Sequence, residues 1–170
     1  MSPRAKTRPA AANDSVDIVI TWKPRTKWRA EPLLRRVADH ALRTEGFHTG
    51  QLSIAVVGTR AMSTLHQRFM GQVGPTDVLT FDLGTELDDG HIEAEIVVCI
   101  DVARRNARSR GGTLKAAREE LALYLVHGIL HLAGYDDHAP DDFAQMHRRE
   151  DTLLRELRIG AVFREGMSPP

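Results

Sequence analysis

EELALYLVHGILHLAGYDDH, residues 119–138, is the stretch whose reading decides how this chain folds. Its apolar residues recur at helical spacing, and His127 and His131 stand four apart. About 100° of rotation per residue places both imidazoles on one face, one turn from each other. That is the separation two ligands of one metal ion need. Gly134 favours a left-handed helix C-terminus, and the polar turn Tyr135-Asp136-Asp137-His138 follows at once, so the chain can fold back and bring a third ligand over the first two.

Two histidines at this spacing are also compatible with buried or half-buried core positions. Three histidines within twelve positions, with a glycine break where the chain must reverse, favour a metal. Neutral imidazole suits Zn, Cu, Fe or Ni, and three side-chain ligands leave a fourth position open, the catalytic rather than the structural pattern for zinc. Gly128 follows His127 where a His-Glu-x-x-His peptidase carries its general base, which disfavours that class.

Working outward, residues 114–133 read as a central helix, preceded by a basic helix at 101–110 that carries Arg104, Arg105, Arg108 and Arg110 and ends at Gly111-Gly112. Pro140, with Asp141 and Asp142, opens a last helix to about Ile159, since proline suits a first turn and acids suit its positive end. Upstream, β-branched alternation predicts strands at 16–22 and 52–57, with a helix between them whose apolar spacing begins at Trp28. Thr59 is the expected cap of a helix running to about Phe69. Strands at 77–82 and 92–100 flank Asp88-Asp89-Gly90, a turn signal that predicts a hairpin. The fold class is therefore α/β: a single domain with a mixed sheet of about four strands covered by helices, and the metal site at the C-terminal end of the central helix.

With 170 residues, 42% of them hydrophobic, the chain suits one domain with a real core. Residues 1–15 read as a disordered basic tail, 16–159 as the domain and 160–170 as a loose C-terminal tail. The single Cys99, in an apolar run, excludes an internal disulfide framework and reads as a small buried hydrophobe. No stretch approaches the roughly 20 apolar residues of a membrane span, so a cytoplasmic protein with no membrane partner is expected. Formal net charge is zero. Bulk electrostatics thus cannot coat nucleic acid, and binding needs a local patch, for which the cations from Arg104 to Arg118 are candidates.

His-Gly-x-Leu-His-Leu-x-Gly-Tyr-Asp resembles the signature of the YbeY family. Gly-Pro-Thr-Asp-Val-Leu-Thr-Phe at 74–81 and Glu-Ile-Val-Val-Cys-Ile-Asp-Val-Ala at 95–103 agree with it in the family's order, so the resemblance spans about 16–158. It implies a small sheet with the metal helix packed against it. It also implies a zinc-dependent, single-strand-specific endoribonuclease acting in 16S rRNA 3′-end maturation and ribosome quality control. The implied partners are single-stranded RNA, an rRNA precursor, and the ribosome or its small subunit.

The sequence departs from the family pattern twice. Asp137 occupies the place of the usual third histidine and His138 comes one residue later, so the expected ligands of one Zn²⁺ are His127, His131 and His138, with Asp137 as the alternative third. Met70 stands where many relatives carry arginine, which makes Arg68 the expected phosphate-contacting cation. Asp136 is expected to orient a ligating imidazole, Glu120 to lie on the helix surface or support the site, and Thr76 and Asp77 to shape the cleft. Two rival readings stay open: a ribosome-assembly factor with a structural zinc, and a metal-dependent hydrolase of another small phosphoester or amide.

Overall fold

The helix at the centre of the molecule is apolar on almost every side, so it must be enclosed. In the computed structural model, which describes residues 15–160, it spans Leu114–Leu132 and buries twelve of its residues, from Ala116 to Leu132. Most of the segments read as basic N-terminal tail and loose C-terminal tail lie outside the described residues.

The elements run β1 (Asp17–Trp22), α1 (Glu31–Thr44), β2 (Thr49–Val57), α2 (Thr59–Met70), β3 (Val78–Asp82), β4 (His91–Cys99), α3 (Ile100–Ala107), α4 (Leu114–Leu132) and α5 (Pro140–Glu156). A single 3₁₀ turn, Arg108–Arg110, joins α3 to the loop before α4. The sheet is mixed, in the order β1-β2-β4-β3. β1, β2 and β4 are parallel, and β3 pairs antiparallel with β4 as the expected hairpin. Where β3 ends, Asp82 Oδ1 accepts from the backbone of Gly84 and Thr85, which opens the connection to β4 and lowers the Asp82 pKa.

Residues facing one way along β2 and β4 (Leu52, Ile54, Val56; Ile92, Ala94, Ile96, Val98) are all buried, while the other face carries half-buried Gln51, Ser53, Glu93 and Glu95. α4 lies on the apolar face. At Gly128 the approach is so close that an added Cβ would sit 2.8 Å from Thr80 Oγ1 and 3.0 Å from Ile96 Cδ1. Cys99 is buried, and burial pushes its thiol pKa up.

Three local expectations are corrected. Trp28 precedes α1 rather than joining it, because Pro32 fixes the start of the helix at Glu31. Gly58, not Thr59, caps α2; the backbone N–H and hydroxyl of Thr59 both donate to Asp101 Oδ2 instead. Glu120 is buried, accepting hydrogen bonds from Arg110 and from the Tyr124 hydroxyl at 3.1 Å each.

Gly128→Ala should lower stability by about 1 kcal/mol. Overpacking a contact of this kind costs about 1–3 kcal/mol and exceeds the helix-propensity gain of about 1 kcal/mol. Urea unfolding of the metal-free protein measures the difference; a stabilised variant would contradict the packing described.

Candidate metal centre

α4 ends as its sequence dictates. Gly134 adopts φ +89°, its N–H bonds to His131 O, and the Tyr135 N–H reaches back to Leu130 O, the paired bonds of a Schellman stop. The reversal carries residues 135–138 back over the last turn. Asp137 Oδ2 thereby comes within 3.6 Å of His127 Nε2 and 3.7 Å of His131 Nε2, while the two Nε2 atoms are 3.0 Å apart. The imidazole rings stand nearly perpendicular, at 86°.

The opposite ring nitrogens are committed. His131 Nδ1 is 3.1 Å from Tyr135 O, a carbonyl that only accepts, so Nδ1 carries the proton. His127 Nδ1 is 2.8 Å from Oε1 of Glu150, a fully buried carboxylate on α5 whose other oxygen pairs with His147 Nδ1. Burial pushes Glu150 upward, but hydrogen bonds from His127 and His147 outweigh it, and its pKa lies below the usual value. It is therefore an acceptor, and His127 Nδ1 is the donor.

With both rings neutral, as metal binding requires, each directs an Nε2 lone pair into the same small space, beside a carboxylate oxygen. Only a proton or a cation relieves that convergence. Two ligands about 2.0–2.1 Å from a tetrahedral zinc stand roughly 3.3 Å apart, and the observed separations of 3.0, 3.6 and 3.7 Å bracket that figure. The donor set, two imidazoles and a carboxylate, fits a divalent transition metal and leaves a coordination position free.

Burial lowers the His127 pKa, but Glu150, Asp77 and Asp137 together reverse the effect and hold it above the usual value. His131 is lowered, first by burial and then by the neighbouring His127. Asp77 thus lies within the electrostatic reach of the site, and its Oδ1 is fixed by the Thr76 hydroxyl and the Val78 N–H.

Not every expected residue joins this group. The His138 side chain is 81% exposed; it groups with Asp136 and Asp137, its Nδ1 against Asp136 Oδ1, and it does not join the two imidazoles. The reversal places Asp137 inward and points its successor to solvent, so the structure brings the alternative third residue to the imidazoles. Asp136 orients His138 and the backbone N–H of Asp137 rather than His127 or His131. Arg68 lies exposed on the last turn of α2 with its guanidinium 5.4 Å from the Phe69 ring centre, and no hydrogen bond or ion pair among the described residues links it to the site. The sequence reading missed Glu150. Its signal was a carboxylate within the buried stripe of Phe143, Met146, Leu153 and Leu154 on α5.

Fold and site together define a class: a mixed-sheet α/β protein with an open His-His-Asp group of metal-ligand geometry at the end of its central helix. The family model described as Endoribonuclease YbeY matches residues 19–158, and the chain belongs to that family. An Endoribonuclease YbeY from Chlorobium luteolum is 33% identical over 127 residues, covering 75% of this chain and 88% of the relative. One from Anaeromyxobacter sp. (strain Fw109-5) is 38% identical over 144 residues, covering 84% of this chain and 73% of the relative. The solution structure of TM1509 from Thermotoga maritima superposes with a TM-score of 0.56 at 28% identity, over 83% of this chain and 91% of that one.

The buried His127–Glu150 pair sets a pH window for the metal-free protein. Glu150 is lowered, so its contribution is present above the ordinary glutamate value of 4.5 and fades as pH falls through the folded value. His127 is raised, so its contribution is complete below 6.5 and is lost as pH rises through the folded value. Thermal melting of metal-free protein should therefore show this contribution in full between about pH 4.5 and 6.5. Glu150→Gln should flatten the profile; an unchanged profile would show that the pair carries none of it.

Proposed function

We propose that this protein is a zinc-dependent, single-strand-specific endoribonuclease of the cytoplasm that acts in 16S rRNA 3′-end maturation and ribosome quality control, on rRNA precursors in contact with the small ribosomal subunit. The observation that carries the reading is the convergence of His127 Nε2, His131 Nε2 and Asp137 Oδ2, with both Nδ1 atoms already bonded elsewhere. Membership of a family whose name denotes internal cleavage of RNA supports the substrate. No helix among the described residues is long and apolar enough to cross a membrane.

In this reading His127, His131 and Asp137 hold the metal and Glu150 fixes the His127 ring through Nδ1, a support that commonly contributes 10–100-fold to metal affinity. Zinc bound there supplies Lewis-acid polarisation of a phosphoryl oxygen and an acidified water at neutral pH. The Tyr135 carbonyl holds the His131 ring in the tautomer that leaves Nε2 free. Asp77, beside the site and tied down by Thr76 and Val78, forms its acidic wall. Exposed Arg68 remains the cation from α2 assigned to substrate phosphate, with a reach that its long side chain must supply.

That Asp137 rather than His138 faces the two imidazoles generates the test. Elemental analysis of untagged protein should find about one zinc per chain, kept in His138→Ala and lost in Asp137→Ala, with cleavage of single-stranded RNA following the metal. His127→Ala should remain folded by circular dichroism yet inactive. If it unfolds, the zinc is structural and the assembly-factor reading replaces the enzyme; if no preparation binds metal, the hydrolytic site is refuted.

A further inference from the structure

Although the whole chain is electrically neutral, its charges are not evenly spread. The loop between β1 and α1 reads Lys-Pro-Arg-Thr-Lys-Trp-Arg at 23–29, and burial alternates along it: Lys23, Arg25, Lys27 and Arg29 are exposed, while Pro24, Thr26 and Trp28 are half-buried. The alternation has a cause. Trp28 packs against Ala107, Ala116 and Ala117, between the end of α3 and the start of α4, and makes a T-shaped contact with Trp22 at 5.7 Å. Trp28 is held inward, the Thr26 hydroxyl donates to its carbonyl, and the charged residues between these positions face solvent.

The same tryptophans gather further cations. The guanidiniums of Arg104 and Arg118 lie 5.2 and 5.7 Å from the Trp28 ring, that of Arg29 lies 5.6 Å from Trp22, and Arg118 Nη2 donates to Arg29 O. Lys23 and Arg60 line one open groove of about 680 Å³ at the carboxyl ends of the parallel strands. Of these, Lys23, Arg25, Lys27 and Arg60, with exposed Arg108 on the adjacent 3₁₀ turn, form no ion pair among the described residues. The nearby acids are already occupied. Glu31 is paired with Arg29, Asp101 accepts from Thr59, and Glu119 and Glu120 are paired with Arg110.

We infer that this tryptophan-anchored basic surface, built from the β1–α1 loop, the start of α2 and the α3–α4 junction, is a binding site for the phosphate backbone of single-stranded RNA. The inference rests on the RNA-cleaving reading for the identity of the polyanion. Guanidiniums held over indole rings are restrained in position, and unpaired exposed cations release counterions when phosphate replaces them. Three other surfaces are acidic and repel this ligand. The hairpin tip carries Asp88 and Asp89, the open sheet face carries Glu93 and Glu95, and the first turn of α5 carries Asp141 and Asp142. Lys115 precedes His127 by twelve residues, so the patch and the metal-ligand group occupy opposite ends of α4, about 18 Å apart along its axis. A strand of several nucleotides spans both, whereas a dinucleotide engages one. The patch therefore gives affinity and direction to the strand and carries no part of the bond cleavage.

The test is fluorescence anisotropy with a 2′-O-methylated single strand of about 16 nucleotides, the upper site size of comparable grooves, titrated at several salt concentrations. Arg25→Ala/Lys27→Ala should bind on the order of 10-fold more weakly at about 0.1 M salt. Its log–log salt slope should be shallower by about 1.4, two contacts at about 0.7 each. Arg36→Ala/Arg148→Ala, which removes two exposed cations elsewhere, should bind like the parent. Equal affinity and slope for the two double variants, or a parent that does not bind the strand, would overturn the inference. Patch-dependent binding by a zinc-loaded protein that cleaves no RNA would support the surface while refuting the endoribonuclease reading; cleavage that persists with patch-independent binding would do the reverse.

Discussion

The contact on which the rest of the molecule is arranged is the close approach of α4 to the β3–β4 pair at Gly128. A side chain there would push the helix off Thr80 and Ile96 and, with it, the two imidazoles one and three residues away. Because α4 is enclosed on nearly all sides, its few polar groups have nowhere to go but toward partners supplied by other elements. Glu150 from α5, the Tyr135 carbonyl from the reversing chain, and Asp137 beyond it meet that demand in different ways. Two fix ring tautomers, and the third faces the freed nitrogens.

This division of labour explains why the site is both rigid and open. Its supporting bonds lie on the Nδ1 side, that of His127 to a fully buried carboxylate; the Nε2 side faces the surface turn. Glu150 is tolerated at zero exposure because two histidines share its two oxygens. Removing any one of the three leaves an uncompensated buried charge or donor, so the group behaves as a unit rather than as separate residues.

The same helix also organises charge. Its last turns carry the histidines and the turn that follows carries Asp136 and Asp137, whereas its second turn and the preceding α3 supply arginines that lie over Trp28. A formal charge of zero is thus the sum of two unlike ends, and averaging over the sequence conceals what the surface presents.

Much of this was legible in the sequence. The spacing of His127 and His131 and the glycine stop at Gly134 are local properties of one helix, fixed by 3.6 residues per turn and by the left-handed cap, so they needed no knowledge of the fold. The mixed four-strand sheet followed from the order of periodic segments, and the hairpin from its Asp-Asp-Gly turn. What the sequence left open was whatever depends on direction. Whether Asp137 or His138 faces the imidazoles depends on the backbone path after Gly134, and a shift of one residue in a turn exchanges inside for outside. Glu150 reaches His127 across twenty-three residues, Glu120 is buried by a partner on the preceding turn, and Trp28 draws arginines from two helices to a loop. Those are long-range contacts, set by how elements pack rather than by what each strand or helix prefers alone, and only the tertiary structure decided them.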